Sequence, residues 1–283
     1  MPSLTLLSQA VITGVLAGAL YGLLALGLSL SWGLLRLVNL GHFAMALLSA
    51  YLTWYLGTQF GIPPYLSGLL IVAVFFLYGV GLHWVFMRFG VAEMASMLIT
   101  FSIAVIVESA LQFIWTADFR RYETAYASSS IVIGSLFVPT LNLLGCLMAA
   151  LLAGLTWSWL RFTYVGKALR AGAEDAPIAA AFGINHRVLS FLLSGICAAY
   201  AGVAGVFIAL IATLAPSEIW TWIGVVFAVV IIGRLGNTIG ALAGGILIGT
   251  CEAITMAVVN PAWAPLVSFS VLIVLLLFRP RWI

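Results

Sequence analysis

Two carboxylates, Glu108 and Glu252, stand inside otherwise apolar stretches of this sequence. A charge at the centre of a bilayer costs at least about 2.5–3.5 kcal/mol on insertion scales, so each must be protonated, paired or turned toward a wet cavity. Both are therefore candidates for structural glue or for a pathway or gate. Arg234, on a glycine-containing segment, is the prospective partner of either one. Asn39 and His42, in WGLLRLVNLGHF, are further pathway candidates, with a structural turn as the competing reading. His83 and His186 have no ligand-like spacing with His42, and Cys146, Cys197 and Cys251 form no CxxC pair, so no metal site is expected.

The charged residues gather elsewhere. Only 7% of the chain is charged and 64% is hydrophobic, yet Lys167, Arg170, Glu174, Asp175 and Arg187 crowd one short stretch. Within it, Asp175-Ala-Pro177 has the pattern of a helix start, because Asp caps free amides and proline is tolerated in the first turn. Ala179, Ala180 and Ala181 then give a short helix of small residues, and Gly183 suits its end. Such a helix fits a groove on another protein; an ordinary solvated loop is the alternative.

The elements that position these residues follow from the uncharged runs. No formal charge occurs in Met1–Leu35, Leu37–Met87, Thr124–Leu160 or Ala253–Phe278, and a transmembrane helix needs roughly 20 such residues. The chain is read as all-α, a polytopic helical membrane protein of about eight to nine transmembrane helices in a single domain, 1–283. The expected spans are 8–31, 41–57, 65–87, 94–115, 139–160, 188–210, 219–233, 238–256 and 263–278. The first apolar run is too long for a cleavable signal and continues as a span. Segments 32–43 and 219–240 carry glycine, asparagine and arginine, and are read as broken or re-entrant.

Placing 162–187 in the cytoplasm and 116–138 outside puts nine basic residues inside (Arg36, Arg88, Arg161, Lys167, Arg170, Arg187, Arg234, Arg279, Arg281) against Arg120 and Arg121 outside. This is the asymmetry the positive-inside rule demands. It gives an extracytoplasmic amino terminus and a cytoplasmic carboxyl terminus. The ten tryptophans fall near span ends and read as an interfacial belt. Gly14, Gly18 and Gly22 form a stripe at steps of four, as do Gly236, Gly240 and Gly244, with Gly245 and Gly249 on an adjacent face. Small residues so spaced let helix backbones approach closely.

The missing motifs matter too. Lys167 is the only lysine and no phosphate-binding loop surrounds it, so nucleotide binding is not expected of this chain. Neither a Gly-x-Ser-x-Gly elbow nor a His-Glu-x-x-His motif is present, which argues against a hydrolase. A net charge of +3, mostly on one side, explains orientation and does not suggest nucleic acid.

The stretch GKALRAGAEDAPIAAAFGIN resembles the cytoplasmic loop of permease subunits of branched-chain amino acid ABC importers, the LivH-type family. Gly166, Arg170, Ala171, Glu174, Asp175, Ala179, Gly183, Ile184 and Asn185 occupy the positions of that pattern. GALYGLLALGLSLSWGLLRLVNLGHFAM, with Asn39 and His42, and GNTIGALAGGILIGTCEAI, with Glu252, resemble the family's first helix and its glycine-rich segment. The resemblance implies an ATP-driven, binding-protein-dependent importer of the bacterial inner membrane. Its partners would be a second homologous permease, two cytoplasmic ATPase subunits holding ATP and Mg, a periplasmic substrate-binding protein, and the membrane lipid around the chain. Arg170, Glu174, Asp175, Ala179, Ala180 and Gly183 would couple the chain to an ATPase.

Several positions depart from the family. Arg234 replaces a glycine, Phe43 follows His42 where glycine is common, and Glu108 stands where related chains tend to carry a neutral residue. These leave the substrate open between branched-chain or other hydrophobic amino acids and urea, short amides or small aromatic or carboxylic acids. A stand-alone channel or secondary transporter using Glu108 or Glu252 is the reading from another class.

Overall fold

The computed structural model describes residues 4–124, 129–259 and 261–278. Their helices are α1 (Leu4–Leu35), α2 (Gly41–Phe60), α3 (Pro64–Phe89), α4 (Glu93–Trp115), α5 (Thr140–Phe162), α6 (Tyr164–Glu174), α7 (Ala176–Ala181), α8 (His186–Ile211), α9 (Glu218–Gly233), α10 (Thr238–Val258) and α11 (Ala264–Phe278). The expected spans coincide with α1 to α5 and α8 to α11. Six of these helices, α1, α3, α4, α5, α8 and α10, are long and apolar enough to cross a membrane unaided. The 16-residue α9 is shorter. In α2, His42, Ser49 and Thr53 are buried against other helices, so it need not be as apolar as a lipid-facing span. Arg279 and Arg281 lie outside the described residues.

The centre of the bundle is an antiparallel contact between α1 and α10. A methyl group placed on Gly14 would lie 2.6 Å from the Thr250 Cα, and one on Gly22 would lie 2.9 Å from the Leu242 Cα. Gly18 abuts the Gly245 carbonyl directly. Backbone therefore meets backbone along just over two turns of α1. The partners of the α1 stripe are Gly245 and Gly249, on one face of α10. Gly240 and Gly244 use the other face, against Gly233 and Val229 of α9. Gly236 is not part of any helix stripe: it occupies the α9–α10 turn at φ +75°, and its amide donates to the Ser29 carbonyl at 2.9 Å.

Around this pair, α8 packs on α2 and α3. Ser49 Oγ donates to the Gly202 carbonyl at 2.7 Å, and Ser194 Oγ to the Gly79 carbonyl at 2.9 Å. These bonds cross helices where no water competes for them.

The break expected within 32–43 is narrower than that range. Helix α1 runs unbroken to Leu35, then Arg36 adopts φ +55° and residues 36–39 leave helical geometry. His42 Nε2 lies 3.0 Å from the Leu24 carbonyl. Leu24 is eleven residues before Leu35, about 16 Å along the helix. The chain therefore turns back into the bundle before α2 begins. In 219–240 helix α9 is continuous, and the irregular backbone is confined to residues 234–237.

The loop at 116–138 holds structure that an all-α reading does not include. Strands β1 (Ser130–Ile133) and β2 (Leu136–Pro139) form an antiparallel hairpin about Gly134, at φ +63°. Gln9 of α1 clamps it: its Nε2 donates to the Phe137 carbonyl at 2.8 Å and its Oε1 accepts from the Phe137 amide at 2.9 Å. Arg120 and Leu214 pair through their backbones, joining this loop to the α8–α9 connection. The tryptophan belt is only partial. Trp84, Trp157 and Trp263 are exposed, whereas Trp32 packs on Phe227 and Trp115 on Tyr51.

Because backbone faces backbone at Gly18, one added isopropyl group must force α1 and α10 apart. Overpacking of this kind costs about 1–3 kcal/mol, occasionally more. Gly18→Val is expected to lower the melting temperature of the detergent-solubilised chain clearly, while Gly81→Ala, which meets open space, leaves it within a degree or two.

Candidate coupling surface and membrane-buried polar groups

The charged stretch folds into two helices, only one of which its composition announced. Helix α6 is started by Thr163, whose hydroxyl accepts from the Gly166 amide at 3.1 Å. Its Leu169 is fully buried in a cluster with Leu30, Leu34, Leu160, Leu193 and Cys197, from the ends of α1, α5 and α8. Gly166 fits directly over the Leu160 backbone, where a side chain has no room. Lys167, Arg170 and Glu174 lie on the exposed face. Arg36 Nη2 donates to the Ala173 carbonyl at 3.1 Å, tying the end of α1 to the end of α6.

Helix α7 begins as the residue pattern dictates. Asp175 Oδ1 accepts from the Ile178 amide at 3.0 Å, Pro177 lies in the first turn, and Gly183 follows the helix at φ +81°. Its surface is not bare, however. Ala179 is buried against the chain itself, whereas Ala180 is exposed. The prominent side chains are Ile178, 58% exposed, and Phe182, 82% exposed. They are spaced four apart and so project from one face. That spacing was visible in the sequence but hidden by the alanines. Glu174 and Asp175 border two recesses beside this face, one of about 430 Å³ with Arg36 and His186, the other of about 470 Å³ with Ile178 and Phe182.

Within the bundle the two carboxylates differ in setting. Glu252 is buried on α10, accepts a short hydrogen bond from the Ser268 hydroxyl of α11 and faces the Tyr21 hydroxyl of α1. It joins three helices. Glu108, on α4, is half-buried and accepts from Trp220 Nε1 of α9 at 2.8 Å and from Gln112 Nε2 at 3.3 Å. Sequence reasoning missed Tyr21, Ser268 and Trp220, because contacts between distant helices leave no local spacing signal.

Arg234 reaches neither carboxylate, which corrects the expected ion pair. It is exposed in the α9–α10 turn, eighteen residues from Glu252, with all of α10 up to that residue intervening. From Thr238 to Glu252 the helix rises roughly 21 Å at 1.5 Å per residue. Its φ of +70° with ψ of 135° belongs to glycine territory, which explains why glycine suits this position. Asn39 and His42 do lie together at the re-entrant turn, where the Asn39 carbonyl accepts from the His42 amide at 3.2 Å. A carbonyl can only accept, so Nε2 of His42 carries the proton it gives to Leu24. The ring fills the space beside Gly27, a wedge that holds the turn. Among the described residues, no three His, Cys, Asp or Glu side chains come together as a metal site would require. The three cysteines lie on α5, α8 and α10 and are free thiols.

Stacked apolar helices with glycine contacts, buried polar links and one charged end fit a multi-pass membrane protein. Residues 10–276 match the profile of the branched-chain amino acid transport system permease component family, and the chain belongs to that family. It is 26% identical to the high-affinity branched-chain amino acid transport system permease protein LivH of Escherichia coli K12, over 97% of this chain and 94% of the relative. It is 24% identical to permease protein BraD of Pseudomonas aeruginosa, over 100% and 97%. A probable LivH of Methanocaldococcus jannaschii is 30% identical over 91% and 86%. No solved structure matches the chain significantly. The chain is a transport subunit rather than an enzyme.

Removing the Glu252 carboxylate leaves the Tyr21 and Ser268 hydroxyls without their buried acceptor, at about 1–3 kcal/mol. Glutamine at this position would keep an acceptor oxygen in the same volume. Thermal melts in detergent are therefore expected to rank wild type and Glu252→Gln together, well above Glu252→Ala.

Proposed function

We propose that the chain is the membrane-spanning subunit of an ATP-driven, binding-protein-dependent importer in the bacterial inner membrane. Its cargo in this reading is branched-chain or other hydrophobic amino acids, as the printed names of its relatives suggest. A second homologous permease completes the pathway. Two cytoplasmic ATPase subunits, holding ATP and Mg, drive it, and a periplasmic binding protein delivers the solute. The carboxyl terminus is cytoplasmic and the amino terminus extracytoplasmic. In support, Arg36, Arg88, Arg161, Lys167, Arg170, Arg187 and Arg234 flank the helix ends nearest α6 and α7, opposite the loop with Arg120 and Arg121.

The observation that carries this reading is the exposed apolar pair Ile178 and Phe182 on a capped helix surrounded by charge. Fully burying each such side chain yields about 1.5–3 kcal/mol, enough to seat α7 in a groove of an ATPase. Glu174, Asp175 and Arg170 at the rim orient the contact. Closure of the ATPase pair then displaces α7, and α6 passes the movement on. Leu169 and the Arg36–Ala173 bond link α6 to the ends of α1, α5 and α8, so the inner ends of three core helices move together. Access to the pathway changes sides as they do.

Charge reversal at Glu174 and Asp175 tests this. In a complex purified with its ATPases, Glu174→Lys with Asp175→Lys is expected to abolish solute uptake while ATP hydrolysis continues. Coupled transport at the wild-type rate in the double variant would refute the role of α7.

A further inference from the structure

On one flank of the bundle α8 forms the floor of an open groove of about 490 Å³, with α3 and α5 as its two rims. Each rim meets α8 through a glycine. A methyl group on Gly68 of α3 would lie 3.4 Å from Val206 Cγ2, and one on Gly145 of α5 would lie 3.3 Å from Phe207 Cδ1. The groove follows the helices from Pro64, Thr140 and Leu210 at one end to Val72, Met148 and Val203 at the other. Between Pro64 and Val72, as between Thr140 and Met148, the helix rises about 12 Å.

The two ends of the groove differ in chemistry. At the starts of α3 and α5, beside the β1–β2 hairpin, the mouth is bordered by Tyr65, Ser129 and Thr140; every other lining side chain is apolar, apart from the glycine. Among the described residues no charged side chain borders it. Water held in a cavity needs two to four polar partners, and below the mouth the lining side chains offer none. The hydrocarbon core of a bilayer is about 30 Å thick, so one leaflet takes up about 15 Å. A groove that opens at the helix starts and descends about 12 Å therefore runs through most of one leaflet.

Width decides what can fill it. Spread over about 12 Å, the volume gives a cross-section of roughly 40 Å², whereas a helix 10–12 Å across takes up roughly 80–110 Å². A neighbouring helix would rest on the rims, on Tyr65 and Leu144, which are 72% and 49% exposed. Val203 and Phe207 on the floor would then face a void and forfeit their dispersion contacts. A single unbranched chain reaches the floor where a helix does not. We propose that this groove binds a bilayer phospholipid, one acyl chain lying between α3 and α5 and the headgroup resting at Tyr65, Ser129 and Thr140. Because the mouth is neutral, it does not select the charge of the headgroup. The bound chain packs against both rims and the floor, so it holds α3 and α5 at a fixed spacing over α8. This inference depends on the chain's place in a bilayer and not on the importer reading.

The test counts, by native mass spectrometry, the phospholipid that the full chain keeps in mild detergent when phosphatidylethanolamine and phosphatidylglycerol are supplied in equal amounts. Wild type is expected to keep one lipid per chain, of either headgroup. Leu144→Trp, which fills the groove from its α5 rim, should lower retention at least fivefold. Leu77→Trp, at an exposed residue of α3 outside the groove, should leave it within twofold. The proposal is overturned if wild type keeps no lipid, if it keeps phosphatidylglycerol alone, or if Leu144→Trp keeps as much as wild type. Equal loss in Leu77→Trp and Leu144→Trp overturns it as well. Should Leu144→Trp fail to fold, Val203→Phe, which raises the floor, is judged by the same results. A second measurement separates lipid from protein as the occupant. Benzoylphenylalanine at position 144, irradiated in native membranes with all partner subunits present, is expected to yield a phospholipid adduct; a cross-link to another protein chain would overturn the proposal.

Discussion

The whole bundle depends on the close approach of α1 and α10, made possible by glycines facing glycines. Lipid tails are as apolar as leucine, so helices in a bilayer gain little from hiding apolar side chains and associate through van der Waals packing and hydrogen bonds. Gly14, Gly18 and Gly22 against Gly245 and Gly249 maximise the first of these. The second follows from the first. With α1 and α10 in backbone contact, the Gly236 amide reaches Ser29 at one end, and Glu252 faces Tyr21 further along. Both faces of α10 are used, the second one for α9. A single helix thereby fixes the depth of the α9–α10 turn and of the buried carboxylate.

That rigid centre contrasts with the water-facing end. Helix α6 is half core and half surface: Leu169 is buried among three helices while Arg170 and Glu174 face outward. Helix α7 has only Ala179 turned inward and presents Ile178 and Phe182 outward. A force applied to such an element is not dissipated locally, because its neighbour α6 is wedged between α1, α5 and α8. The same logic sets the two glutamates apart. Glu252 serves the centre, tying helices together, whereas Glu108 stands at the margin, half-exposed and held by Trp220 and Gln112.

Much of this was legible in the sequence, and the reasons are local ones. Uncharged runs located the helices because insertion is governed by residue-by-residue transfer cost. Asp175, Pro177 and Gly183 marked α7 because capping acts over three residues. Helix α6 was read as a loop because of its charges, although Gly166, Ala168, Leu169 and Gly172 fall on one helical face and Lys167, Arg170 and Glu174 on the other. The β1–β2 hairpin was missed because four-residue strands resemble any apolar loop. What is non-local was not legible. Nothing in the spacing of Arg234 and Glu252 revealed that a helix separates them, and nothing near Glu108 pointed to Trp220, 112 residues away. The stripe on α10 was assigned to Gly236 as well as to Gly240 and Gly244, since a periodicity of four continues past a turn on paper but not in space.

The most direct measurement is the accessibility of Phe182 itself. A Phe182→Cys chain lacking Cys146, Cys197 and Cys251 would be exposed to a membrane-impermeant maleimide in inverted vesicles and in intact spheroplasts, with and without ATPase subunits. Labelling only in inverted vesicles, and strong protection when the ATPases are present, is the result expected of a cytoplasmic helix seated in a partner's groove. Labelling in intact spheroplasts, or labelling unchanged by the ATPases, would contradict it.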